Sequence, residues 1–253
     1  VPDTVKNDEP IREPIARLGK MISDRMEVML GKEKITKESP EYWGLAPICT
    51  DEQALIAIKM GKRKPRTFAQ IKKLTKINDD EYLQKQLDEM SNNGLIEYNW
   101  ENPQHEKQYV LPMYVPGSAE FTNMNADVLR DHPEMGRFFE RMSRLPLEKV
   151  TPMVPLGGAG IGMHVIPVEK AIEMENHSVS VEHISHWLDK YEGKYAASPC
   201  SCRRSRVTYD EGCADDPEGW CIAVGDMADY VVETNKGGRY ITREEVYEIL
   251  EQA

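Results

Sequence analysis

Four cysteines fall within 22 residues, Cys200, Cys202, Cys213 and Cys221, in the spacing C-x-C-x10-C-x7-C; the fifth, Cys49, lies far away. Four soft thiolates within loop reach of one another meet the needs of a tetrahedral zinc ion or an iron–sulfur cluster. No other motif in the chain offers comparable reactive chemistry. Zinc sites more often use paired C-x2-4-C knuckles, and this spacing supplies neither. A C-x-C start followed by a long interval suits a cluster, whose irons stand farther apart than the ligands of one ion. The reading is therefore one [4Fe–4S] cluster on these four thiolates, with zinc as the alternative. Arg203, Arg204 and Arg206 are interleaved with the cysteines. A reduced cluster with four thiolates is anionic, so Arg203 and Arg204 are expected to tune its charge or face a partner. Backbone amides near Gly212 and from a helix after Cys221 are expected to help. The plainer reading of those arginines is a solvated basic turn. Cys49 is expected to be a small buried hydrophobe.

Composition narrows the classes of function. A net charge of −11 and a pI near 5.2 oppose general nucleic-acid binding, which needs a basic face. No apolar run approaches the roughly 18 residues of a membrane span, and no charged-then-apolar leader opens the chain. An odd cysteine count with four clustered then favours metal binding in a reducing compartment, with the cytoplasm as the expected location. The chain opens at Val1 and closes at Ala253 inside an apparent helix, a pattern expected of a piece of a longer protein.

Periodicity and capping signals divide the chain into three parts. Residues 1–49 read as an N-terminal helical arm, with an amphipathic helix from Ile15 to Leu30 and Gly31 as its stop. In residues 50–113, Thr50 with Gln53, Thr67 with Gln70 and Asn78 with Glu81 are capping-box pairs. They predict helices at 51–60, 68–75 and 79–92. Strand-like runs follow at Leu95–Trp100 and Gln108–Leu111, joined by a polar loop. Three helices and a hairpin are the plan of a winged helix. Residues 114–253 read as a cysteine-bearing domain. Tyr114–Leu147 is helical, 163–168 a strand, His183–Tyr191 a helix and 222–234 another. Thr242 and Glu245 cap the last helix.

A winged helix invites a DNA-binding reading, which the charges oppose. The third helix carries Asp79, Asp80, Glu81, Asp88 and Glu89 against Lys85 alone, and phosphates would repel it. The basic run Lys59, Lys62, Arg63, Lys64, Arg66, Lys72, Lys73 and Lys76 reads better as a solvated face or a docking patch for an acidic partner. The glycine-rich loop Gly157–Gly162 lacks a P-loop lysine and reads as a tight structural turn, or as backbone lying close to a cofactor. His183 and His186 could offer a metal ligand, but the cysteine set is already complete.

Several segments together resemble the N-terminal region of large iron–sulfur flavoproteins of anaerobic bacteria, the pyridine nucleotide-disulfide-type oxidoreductases with 4Fe-4S clusters. They are Thr151-Pro-Met-Val-Pro-Leu-Gly-Gly-Ala-Gly-Ile-Gly-Met-His-Val-Ile-Pro167, Val181-Glu-His-Ile-Ser-His-Trp-Leu-Asp189, Ser198-Pro-Cys-Ser-Cys-Arg-Arg-Ser-Arg206, Asp226-Met-Ala-Asp-Tyr230 and Tyr98-Asn-Trp-Glu-Asn102. In that family ferredoxin-type cysteine repeats and a flavin- and nicotinamide-binding portion follow this region. This sequence contains neither, so the resemblance implies an electron-transfer segment rather than a self-sufficient dehydrogenase.

The expected architecture is α+β and predominantly helical: a winged-helix domain plus a C-terminal helical domain carrying the cysteine loop. The expected function is electron relay through one [4Fe–4S] cluster to or from a flavin- or ferredoxin-type redox module, attached or separate. No catalytic acid, base or nucleophile constellation is apparent. Two alternatives stand beside it: a zinc-stabilised interaction scaffold, and a redox regulator that uses the winged helix on DNA.

Overall fold

The structure is a computed structural model that describes residues 8–142, 184–211 and 219–252. Cys213, the Gly157–Gly162 loop, the strand expected at 163–168 and His183 lie outside the described residues. The described chain is mixed α and β, mostly helical, with two small three-stranded sheets.

The amphipathic segment near the start is not one helix to Leu30. It forms α1 (Glu13–Ile22) and a short α2 (Met26–Met29). The break has a distant cause. Glu41, at the head of α3 (Pro40–Trp43), is fully buried and recruits both side chains that flank the break. The Ser23 hydroxyl donates to Glu41 Oε1 at 2.8 Å, and Arg25 donates to both carboxylate oxygens at 2.6 and 2.7 Å. Arg25 also reaches Glu33 at 2.8 Å. A buried carboxylate needs this bidentate partner, and the helix yields to supply it.

The capping boxes at Thr50/Gln53 and Thr67/Gln70 are present with both reciprocal hydrogen bonds, and start α4 (Asp51–Met60) and α5 (Phe68–Thr75). The third helix, α6 (Asp80–Asn92), is capped one residue later than expected: Asp79 accepts from the Tyr82 amide, and Asn78 takes no part. Strand β1 (Arg66–Thr67) precedes α5; β2 (Glu97–Asn99) and β3 (Gln108–Val110) form the hairpin, in the order β1-β3-β2. β1 was not visible in the sequence because two residues carry no periodicity. Between α6 and β2 the chain turns at Gly94, where φ is +84° and an added Cβ would sit 2.5 Å from the Thr122 amide nitrogen. Only glycine fits there.

Three short helices follow, α7 (Ser118–Met124), α8 (Ala126–Asp131) and α9 (Met135–Met142). After α10 (Ile184–Lys190) comes a second antiparallel sheet, β5-β4-β6, of β4 (Tyr195–Ser198), β5 (Cys221–Val224) and β6 (Arg239–Tyr240). Helix α11 (Ser201–Val207) leaves β4, α12 (Asp226–Glu233) leaves β5, and α13 (Arg243–Gln252) ends the described chain. Thr242 and Glu245 make the expected reciprocal cap. The helix expected over 222–234 is thus a strand, a turn at Gly225 and a shorter helix.

All three described stretches contribute buried side chains to the main core, while Leu188, Tyr195, Ala197, Ile241 and Val246 form a second, smaller one. Edge-to-face rings knit the hairpin to α12: Tyr98 meets Tyr230 at 5.2 Å between centroids, and Phe121 meets Tyr230 at 4.9 Å. The Tyr98 hydroxyl donates to Glu233 at 2.7 Å, and the Trp100 amide to Asp226 at 2.8 Å. Lys236 is fully buried and donates to the carbonyls of Ser91, Asn92 and Thr234 at 2.8, 2.6 and 2.8 Å. Its amine closes the carbonyl end of α6, and burial lowers its pKa to about 7.

Asp24 occupies the break between α1 and α2. Its Oδ1 is buried and takes no hydrogen bond, and burial, with Glu41 adding to it, lifts its pKa from 3.8 to about 7. Below pH 4 the carboxyl is protonated in both states. Between about pH 4 and 7 the unfolded chain releases the proton while the folded chain keeps it, so stability falls as pH rises through that window. We therefore expect Asp24→Asn to leave stability near pH 4 unchanged and to raise it by roughly 1–3 kcal/mol at pH 7.5, measured by urea unfolding. A gain equal at both pH values, or a loss at pH 7.5, would contradict this account.

Candidate metal centre

The cysteines meet because of strand register. β4 and β5 pair so that Ser198 stands opposite Cys221. Cys200 follows two residues later as the N-cap of α11, and Cys202 sits in that helix's first turn. A separation of 21 positions in sequence thus becomes a local cluster. Residues expected to form a helix after Cys221 are a strand instead, and the helix beside the sulfurs is α11, which starts at Cys200.

Cys202 and Cys221 are electrostatic neighbours of Cys200. Cys202, Cys221 and the amides of Arg203 and Cys202 all favour the charged form of Cys200. This environment pulls the Cys200 pKa below the usual thiol value. Cys200 in turn pushes Cys202 and Cys221 up, with burial adding to the effect. The Ser201 amide faces the Cys221 sulfur and partly opposes the rise. A low-pKa thiolate at a helix N-terminus is the state in which cysteine binds metal. Among the described residues no group of three or more His, Cys, Asp or Glu side chains is placed so that it could hold a metal ion. Cys213 lies outside the described residues. Cys202 is exposed, while Cys200 and Cys221 are half-buried. Cys49 is buried, and burial pushes its pKa to about 12. It is the small core residue the sequence suggested.

Polar contacts fix α11 to the helices beneath it. The Ser201 hydroxyl donates to the Glu120 carbonyl at 2.8 Å, and Asn123 donates to the Ser201 carbonyl at 2.6 Å. The Ser205 hydroxyl donates to the Gly136 carbonyl at 2.7 Å. These contacts join positions 69 to 81 residues apart. Sequence reasoning missed them because an isolated Ser or Asn carries no signal of its partner. The two arginines separate in role. Arg204 donates to the carbonyls of Asn123 at 3.3 Å and Met124 at 2.6 Å, closing the C-terminal end of α7. It therefore positions α11. Arg203 lies with its guanidinium carbon 4.1 Å from the Trp220 ring centroid, beside Cys221 in sequence. Arg206 pairs with Glu211.

Glu120 was also missed. Its carboxylate accepts from the Gly117 amide at 2.7 Å, and burial lifts its pKa from 4.5 to about 7. Its charge contributes to raising the Cys202 pKa. His186 packs its ring edge-on to Trp187 at 5.7 Å.

No protein family, curated protein or solved structure matches the chain in comparison searches.

The site predicts an order of thiol reactivity. In chelator-treated, reduced protein at pH 7, iodoacetamide should modify cysteines of the 200–221 span before Cys49, as read by peptide mass spectrometry. Modification of Cys49 first would contradict the geometry.

Proposed function

We propose that this chain is an iron–sulfur electron-transfer module in which Cys200, Cys202, Cys213 and Cys221 hold one [4Fe–4S] cluster. The observation that carries the reading is the β4–β5 register, which sets Ser198 opposite Cys221 while Cys200 and Cys202 begin α11 two to four residues on, with the Cys200 thiol biased toward thiolate. The donor set fits: soft sulfur ligands, amides of Cys202 and Arg203 facing one sulfur, and the Ser201 amide facing another. When bound, such a cluster supplies one-electron transfer. The residues around it do the rest. Ser201, Ser205 and Arg204 lock the cysteine-bearing helix to α7 and α9. Arg203, laid on Trp220, places a cation near the thiolates. The exposed edge at Cys202 faces outward, where a flavin- or ferredoxin-type partner would approach. This reading agrees with the resemblance to iron–sulfur flavoproteins of anaerobic bacteria. Among the described residues no helix is long and apolar enough to cross a membrane.

The same reading treats α4, α5 and α6 with the β1-β3-β2 sheet as a winged helix used for protein contact. The exposed residues Asp79, Asp80, Glu81 and Asp88 crowd the outer face of α6, which disfavours approach to phosphates. The hairpin is tied to α12 through Tyr98, Trp100, Glu233 and Asp226, so it is occupied within the molecule.

Metal content tests the proposal. Protein purified without oxygen should contain iron and acid-labile sulfide and show a broad absorption near about 400 nm that dithionite bleaches. Serine at any of Cys200, Cys202, Cys213 or Cys221 should lower iron content severalfold, while Cys49→Ser retains it. Colourless, zinc-loaded protein would replace the cluster with the zinc scaffold. Loss of metal in Cys49→Ser alone would overturn the ligand set.

A further inference from the structure

The basic residues near α1 and α4 are not spread evenly. Arg17 and Lys20, three positions apart on α1, and Lys62, just beyond α4, border a groove of about 500 Å³ floored by Met21, Met29 and Ile58. Arg17 and Lys20 are exposed, and none of the three makes an ion pair among the described residues. Lys62 has a more distant electrostatic contact with Asp24. Beside the groove, α2 and the residue after it present unburied apolar side chains: Met26 is 64% exposed, Met29 53% and Leu30 62%. On a chain of net charge −11, a cationic rim around an apolar floor is a local reversal of the overall field.

We propose that this groove is a docking site for an acidic amphipathic helix of a partner protein. Three features select that occupant. The floor is rich in methionine, whose flexible, polarizable side chain adapts to varied apolar surfaces. The borders are helices α1 and α4, which pack against each other and offer a groove shaped by helices, suited to a helical partner. The cations complement carboxylates on the polar face of the incoming helix, which gives orientation and salt-sensitive association. An anionic membrane is the weaker fit, because the rest of the molecule is strongly acidic and the site is concave. α1, α2 and α4 do not carry the cysteines. The proposal therefore stands whether or not a cluster is bound, and the site serves as a tether, apart from the thiols.

The test is fluorescence anisotropy on the full chain with a labelled 18-residue probe of about that length, leucine on one face and glutamate on the other. Saturable one-to-one binding is expected, weakened about tenfold or more by Arg17→Glu/Lys20→Glu, since both positions are exposed. Met29→Asp should weaken it as well, and a glutamate-rich probe lacking the leucine face should bind at least about tenfold less tightly. Far-UV circular dichroism checks that the variants fold. Equal affinity for the charge-reversed variant, no binding of the amphipathic probe, or binding only to phosphatidylglycerol vesicles would each overturn the proposal.

Discussion

The antiparallel pairing that sets Ser198 opposite Cys221 is the constraint from which the site follows. Without it, Cys200 and Cys221 belong to separate loops, and gathering them would carry the full entropic cost of closing a chain of that length. With it, the backbone hydrogen bonds of a sheet hold one sulfur while the start of α11 holds two more. β4 is buried along its whole length, and Ala196 and Ala197 give the pairing close packing on both faces. The thiols are therefore placed by ordinary sheet and helix geometry, before any inorganic group is considered.

That placement depends in turn on a core shared by parts of the chain distant in sequence. Tyr230 lies fully buried, donates to the Ile96 carbonyl at 2.8 Å and packs on both Tyr98 and Phe121. Phe121 belongs to α7, the helix whose carbonyls and Asn123 side chain receive α11. A path of direct contact thus runs from the hairpin through α12 and α7 to the cysteine helix. Buried Lys236, which closes α6, adds a second tie. Removing one polar member of such a network leaves buried partners without hydrogen bonds, so the site's rigidity is inseparable from the fold.

Local signals were legible in the sequence where the physics is local. Thr50 with Gln53 and Thr67 with Gln70 mark α4 and α5 to the residue, because a capping box is satisfied within one turn. At α6, Asp79 took the capping role from its neighbour Asn78, as two adjacent capping side chains look alike in a sequence. The misreading of residues 222–224 has another cause. Cys-Ile-Ala-Val is too short for periodicity to separate strand from helix, and only its pairing with β4 decides. The break after Ile22 was hidden because its cause, Glu41, lies outside the segment. Of the site, the cysteine spacing was legible; Ser201, Asn123 and Glu120 were not, since their roles rest on contacts made across the fold. Arg204 was expected to tune a cofactor's charge or face a partner; its contacts with the Asn123 and Met124 carbonyls were not legible.

The central claim is that sulfur from the 200–221 span surrounds a shared iron centre. X-ray absorption at the iron edge on protein purified without oxygen tests this most directly. The account predicts a first shell of sulfur alone, with iron–iron scattering behind it. Iron in a nitrogen or oxygen shell, or a sulfur-ligated zinc in place of iron, would contradict it.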